Sequence, residues 1–146
     1  GRMLVAKDGQ PLRSLLGSCV GVALYDRRHS AGGLAHIVLP AANGQTDAPG
    51  KFVDTAIPKL IDDLRCLVGS DLRLSAKLAG GASMFKTQVA GHIGRQNVEA
   101  SERLLMQLGI PILAQHCGGE KGRKMILDTV TGRVQIEIVG QVSIEI

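Results

Sequence analysis

Three thiols are available for nucleophilic chemistry: Cys19, Cys66 and Cys117. An odd, widely spaced set forms no disulfide framework, and no C-x-x-C pair points to structural zinc. Local context ranks the three. Cys66 falls inside a helix, next to its apolar stripe, and reads as a buried small hydrophobe. Cys117 precedes Gly118-Gly119 in a loop beside His116, but adjacent residues of an extended chain diverge, so proximity in sequence makes no dyad. Cys19 follows Leu15-Leu16-Gly17-Ser18 at the mouth of a β-rich segment, where small residues leave backbone open to a substrate carbonyl. A hairpin turn centred between Arg27 and Arg28 pairs residue 19 with His36. Cross-strand Cβ atoms lie ~4.5–5.5 Å apart, within reach of a thiol–imidazole hydrogen bond. A slip of one residue would put the two on opposite faces. The residues themselves therefore leave two readings open: a Cys–His nucleophile pair, or a strand cysteine beside a core histidine.

The remaining histidines carry less. His29 is in the hairpin turn and is expected to be solvated, and His92 is placed in the loop Gly91-His92-Ile93-Gly94. Without an H-x-x-x-H spacing or a carboxylate cluster, no metal site is expected. The glycine-rich stretches Gly80-Gly81-Ala82-Ser83 and Gly118 to Lys124 match neither phosphate-binding frame.

The elements that must position these groups are short. Residues 3–6, 12–16, 20–25 and 33–39 read as strands, followed by a loop over 40–51 with Pro40, Asn43-Gly44 and Pro49-Gly50. Apolar residues at 53, 57, 60, 61, 64, 67 and 68 predict a helix, with Thr55 as N-cap and Pro58 in the first turn. Residues 72–78 alternate as a strand, and a second helix is expected over 95–108 with Val98, Leu104, Leu105 and Leu108 inward and Gly109 as its cap. Ile110–Ala114 and a meander over 125–146 complete a mixed, largely antiparallel sheet carrying two main helices, an α/β (α+β) layered sandwich.

At 146 residues the chain reads as a single domain, 1–146, and 45% hydrophobic residues exclude a disordered tail. No apolar stretch reaches the ~18 residues of a membrane span, no leader pattern opens the chain, and free thiols fit a cytoplasmic location. Three aromatics (Tyr25, Phe52, Phe85) and a net charge of +4 scattered along the chain argue against nucleic acid and favour an acidic protein partner.

Several strings resemble one family in order. Leu16-Gly17-Ser18-Cys19-Val20, then Gly32-Gly33-Leu34-Ala35-His36-Ile37-Val38-Leu39-Pro40, look like the signature of CheD, the chemoreceptor glutamine deamidase of bacterial chemotaxis. Asp47 to Ala56, Ala79-Gly80-Gly81-Ala82-Ser83-Met84-Phe85, Ile93-Gly94 with Asn97, and Gly118-Gly119 with Gly122-Arg123 continue the likeness over roughly residues 12–132. The resemblance implies a sandwich similar to the catalytic domain of the cytotoxic necrotizing factor toxins. It implies hydrolysis of glutamine amides on chemoreceptor helices, in some members of glutamate methyl esters too, and a partner in the phosphatase CheC. The family's Cys and His match Cys19 and His36. Two departures stand out. The family has a catalytic Thr, often six positions before its Cys; here that position is Arg13, and Ser14 is the nearest hydroxyl. The family also tends to carry Arg-Asn before its second helix, where this chain has Arg95-Gln96-Asn97.

The chemistry expected on that basis uses a partly ionised Cys19 thiolate beside an imidazolium, His36 as acid and base, and Ser14 orienting the ring. Backbone N–H groups near Ser18 and Cys19 are the candidate oxyanion donors. No metal or organic cofactor is required. The rival reading is a catalytically weak binding module that docks on CheC or a receptor and regulates it.

Overall fold

The computed structural model describes residues 1–84 and 88–146, with backbone alone for residues 88–91. Phe85, part of the string from Ala79, lies outside the described residues. Among the described residues, nine strands and two α-helices are arranged in three layers. The strands are β1 (Arg2–Lys7), β2 (Leu12–Leu16), β3 (Val20–Asp26), β4 (Ala31–Ile37), β5 (Leu74–Gly80), β6 (Ile112–Cys117), β7 (Arg123–Leu127), β8 (Val134–Glu137) and β9 (Ile144–Glu145); the helices are α1 (Val53–Val68) and α2 (Gln88–Gln107). One sheet runs β1-β4-β3-β5-β6, antiparallel except for the β5–β6 pair. The second runs β2-β7-β8-β9, antiparallel throughout.

Strand alternation divides the core in two. Val20, Val22 and Leu24 of β3 face Ile57, Leu60 and Leu64 of α1 and Leu105 of α2. Ala23 and Leu34 face the other way, onto Leu12, Leu16, Met125 and Ile136 of the second sheet. The first sheet is thus covered on both faces, and its central strands β3 and β4 are buried almost residue by residue.

Helix boundaries and some burials differ from the expectations. Helix α1 begins at Val53 with Phe52 as N-cap, so Pro58 lies inside the helix. The Leu39–Phe52 bridge sets that start, since Val53 N–H already donates to the Leu39 carbonyl, and the Thr55 hydroxyl donates backward to Pro49 O. Cys66 is exposed rather than buried, because at ~100° per residue it sits across the helix from Leu64. Helix α2 begins at Gln88, which puts the exposed His92 and the Arg95-Gln96-Asn97 run on the helix, and Leu108 is 44% exposed beyond its end. Gly109, at φ +69°, does close α2: its N–H reaches Met106 O while Ile110 N–H reaches Leu105 O, a Schellman pair.

Candidate active site

His36 stands on β4 and faces the second sheet, as Leu34 does. Its partner across β3 is Gly21, not residue 19. The turn is centred one residue later than expected, because the buried Asp26 carboxylate accepts the N–H groups of Arg28 and His29 and so closes the loop at 27–30. His29 is only partly solvated, its ring 3.1 Å from the same carboxylate. The shift is two residues in register, so the face of His36 is unchanged. The missing side chain at Gly21 matters: a Cβ there would lie 2.7 Å from Leu16 Cδ1 and from Met125 Sδ, in the seam between the sheets.

Ser14 comes from the other sheet. Leu12 and Leu16 of β2 are buried, and Ser14 between them shares their face, while Arg13 and Leu15 are exposed. The Ser14 hydroxyl is 3.0 Å from His36 Nδ1. Arg13 is therefore turned from the ring, as the alternation predicts.

Cys19 sits in a bend one residue before β3 and is half-buried. Two hydrogen bonds clamp that bend onto the Gly80–Ala82 segment: Gly81 N–H to Cys19 O, 2.8 Å, and Ala82 N–H to Gly17 O, 2.9 Å. The approach is close enough that a Cβ on Gly80, at φ +102°, would lie 2.3 Å from the Cys19 oxygen. The Gly118-Gly119 turn backs the same segment, through Gly118 N–H to Gly80 O and Ser83 N–H to Gly119 O. Arg123, buried at the start of β7, holds that turn with its guanidinium on the carbonyls of His116, Gly118 and Lys121. Among the described residues, no hydrogen bond joins Cys19 to His36.

Burial decides the charge states. It pushes the Cys19 thiol above its ordinary value, offset only in part by influences that include its own backbone N–H. It pulls His36 below the usual histidine range. Both shifts favour the neutral forms, a thiol and an imidazole, over the thiolate and imidazolium expected from sequence. Cys117 closes β6 rather than lying in a loop, and burial raises its thiol to about 11, which disfavours the thiolate at neutral pH. Burial and the Arg123 charge lower His116. No group of three or more His, Cys, Asp or Glu suited to a metal ion occurs among the described residues.

Ser14 and His36 open onto a groove of about 300 Å³ whose rim carries Arg2, Arg13 and Lys124. Arg123 and Asn97 were not singled out as site residues by sequence reasoning. Both are buried polar residues, and only the fold shows that Asn97 binds the backbone beside Cys19 and that Arg123 binds the turn behind it.

Fold and site together define an α+β sandwich protein whose sheet interface holds a serine–histidine pair, with a half-buried cysteine at the start of the adjacent strand. The sequence profile described as CheD chemotactic sensory transduction matches residues 38–138. A relative from Clostridium botulinum strain Alaska E43, "Probable chemoreceptor glutamine deamidase CheD", is 44% identical over 142 residues, covering 94% of this chain and 88% of the relative. Relatives with the same description come from Desulforamulus reducens, at 45% over 130 residues (86% and 78%), and from Methanococcus vannielii, at 41% over 138 residues (93% and 90%). The chain belongs to the CheD family.

Proposed function

We propose that the protein is a cysteine-dependent hydrolase that converts glutamine side chains of chemoreceptors to glutamate, with Cys19 as nucleophile, His36 as base and acid, and Ser14 orienting His36. The observation that carries this is the Ser14–His36 contact at Nδ1. With Nδ1–H donated to the serine oxygen, Nε2 is the free basic nitrogen. The names of the relatives support the substrate.

The starting pair is neutral. As the sulfur attacks the carboxamide carbon, the thiol proton passes to His36 Nε2, the C–S bond forms and the carbonyl oxygen takes the negative charge. Backbone N–H groups of Ser18 and Cys19, which donate to no carbonyl among the described residues, serve that oxyanion. Collapse breaks the C–N bond, and the imidazolium hands its proton to the leaving amine, which departs as ammonia. Water then attacks the thioester; His36 accepts its proton and returns it to sulfur as the C–S bond breaks, giving the glutamic acid and a neutral thiol. A glutamate methyl ester fits the same cycle with methanol leaving. No step calls on a metal or organic cofactor. Cys19 does not line the groove onto which Ser14 and His36 open, so the proposal requires the thiol and imidazole to approach hydrogen-bonding distance in the substrate complex, where catalytic contacts tighten.

The partner is a receptor helix, met by the cationic rim of the groove; CheC is a further partner. The proposed location is the cytoplasm, where free thiols persist. Ammonia release from purified receptor, wild type against Cys19→Ala, tests the proposal. Release by the wild type alone supports it; equal release by both removes Cys19 as the nucleophile, and release by neither while receptor binding persists favours the binding module.

A further inference from the structure

Asn97 is fully buried on α2. Its Nδ2 donates to two carbonyls from different parts of the chain: Val38, two residues past His36, at 2.9 Å, and Ser18, the residue before Cys19, at 3.3 Å. Its own backbone carbonyl accepts the buried Ser101 hydroxyl at 2.8 Å, which fixes the turn of helix that carries it. One turn earlier, α2 touches the backbone of the Gly80–Ala82 segment, so closely that a Cβ on Gly94 would lie 2.6 Å from the Gly81 oxygen. Gly81 in turn donates its N–H to the Cys19 carbonyl. Helix α2 thus governs both peptide groups that flank Cys19, one through Asn97 and the other through Gly81.

The consequence follows from peptide geometry. The described chain has no cis peptide bonds, and in a planar trans peptide the N–H points opposite to the C=O. Drawing the Ser18 carbonyl onto Asn97 therefore turns the Cys19 N–H away from α2. Asn97 Oδ1 is buried without a partner among the described residues. A residue there for packing alone would be apolar, because an unpaired buried oxygen is unfavourable.

We infer that Asn97 is a positioning residue that aims the Cys19 N–H at the oxyanion formed on the substrate amide. The inference rests on the thiol-hydrolase reading above. It separates two reactions of one thiol. Attack on an amide develops charge on a carbonyl oxygen and needs the aimed N–H. Displacement of iodide from iodoacetamide by Cys19 develops no such charge at the carbonyl and does not need it.

Asn97→Asp keeps the shape but removes the N–H donors, and Asn97→Ser removes their reach. In either variant kcat for receptor deamidation should fall about 10–100-fold, less than outright loss of a donor at ~10²–10³. KM should stay within about threefold and the Cys19 alkylation rate within about twofold of wild type. A kcat within threefold of wild type in a cooperatively unfolding variant overturns the inference. So does a parallel fall in kcat and alkylation rate, or loss of cooperative unfolding in both variants, since each assigns Asn97 to stability. Full activity of Cys19→Ala in the same assay overturns the hydrolase reading and the inference together.

Discussion

The Ser14 hydroxyl lies 3.0 Å from His36 Nδ1, and the two side chains come from different sheets. The contact therefore depends on how the sheets stack, and it holds the imidazole in one orientation from the side opposite Nε2. Ser14→Ala should lower kcat about 10–100-fold, below the ~10²–10⁴ of a lost general base. Ser14→Thr should restore most of the loss, and Arg13→Ala should change kcat less than threefold. Steady-state ammonia release decides among these; a silent Ser14→Ala would remove the serine from the mechanism.

Thiol reactivity should follow exposure and ionisation. Cys66 is exposed, Cys19 half-buried, and Cys117 has a thiol pKa of about 11. With iodoacetamide at pH 7, adducts should appear last on Cys117, while only the Cys19 adduct should track loss of activity. Peptide mapping against residual activity over time gives the order. Inactivation that follows Cys66 instead would count against Cys19 as nucleophile.

The lowered His36 pKa sets an acid limb. Between the folded-state value and the ordinary 6.5, the unfolded chain binds more protons than the folded one, so stability rises with pH across that window and is lost as pH falls through it. The free-enzyme kcat/KM profile should fall on the acid side with an apparent pKa below 6.5. Alkylation of Cys19 should still be accelerating at pH 9, since its thiol is raised above 9.0. A neutral-pH plateau would indicate a preformed ion pair.

Gly80 has no room for a side chain: its φ is +102° and a Cβ would lie 2.3 Å from the Cys19 oxygen. Gly80→Ala should cost about 2–4 kcal/mol, read from urea unfolding, and should reduce kcat as well because the displaced atom belongs to Cys19. Gly69, at φ +99° and ψ 174° but with no atom near its absent Cβ, should lose about 1–3 kcal/mol on the same change, from backbone strain alone and without a fall in kcat.

The groove rim carries Arg2, Arg13 and Lys124, and Lys124 is already shared with Glu137 at 3.1 Å. Binding of an acidic receptor fragment should weaken roughly threefold or more as salt rises from about 50 to 300 mM. Titrating a labelled fragment at several salt concentrations measures it. Free glutamine should be hydrolysed far more slowly than receptor; equal rates would contradict recognition of a helix.

Much of the site was legible in the residues. Alternation along Leu12–Leu16 alone puts Ser14 and Arg13 on opposite faces, and parity alone puts His36 on the face shared by Leu34. The apolar period of α1 and the glycine that ends α2 are likewise local properties, carried by neighbours three to five residues away. Other features depend on atoms distant in the chain. The hairpin register follows a buried carboxylate on Asp26, which also takes the Arg73 N–H from 47 residues away. The start of α1 follows the Leu39–Phe52 bridge, not the local Thr55 cap. Partial burial raises the Cys19 thiol and lowers His36, and so disfavours the ion pair that residue types alone suggest. The grip of Asn97 on the peptides beside Cys19 and His36 spans 79 and 59 residues. Periodicity and turn chemistry act over a few residues and can be read along the chain. Desolvation and long-range hydrogen bonds exist only once the helices and both sheets have stacked.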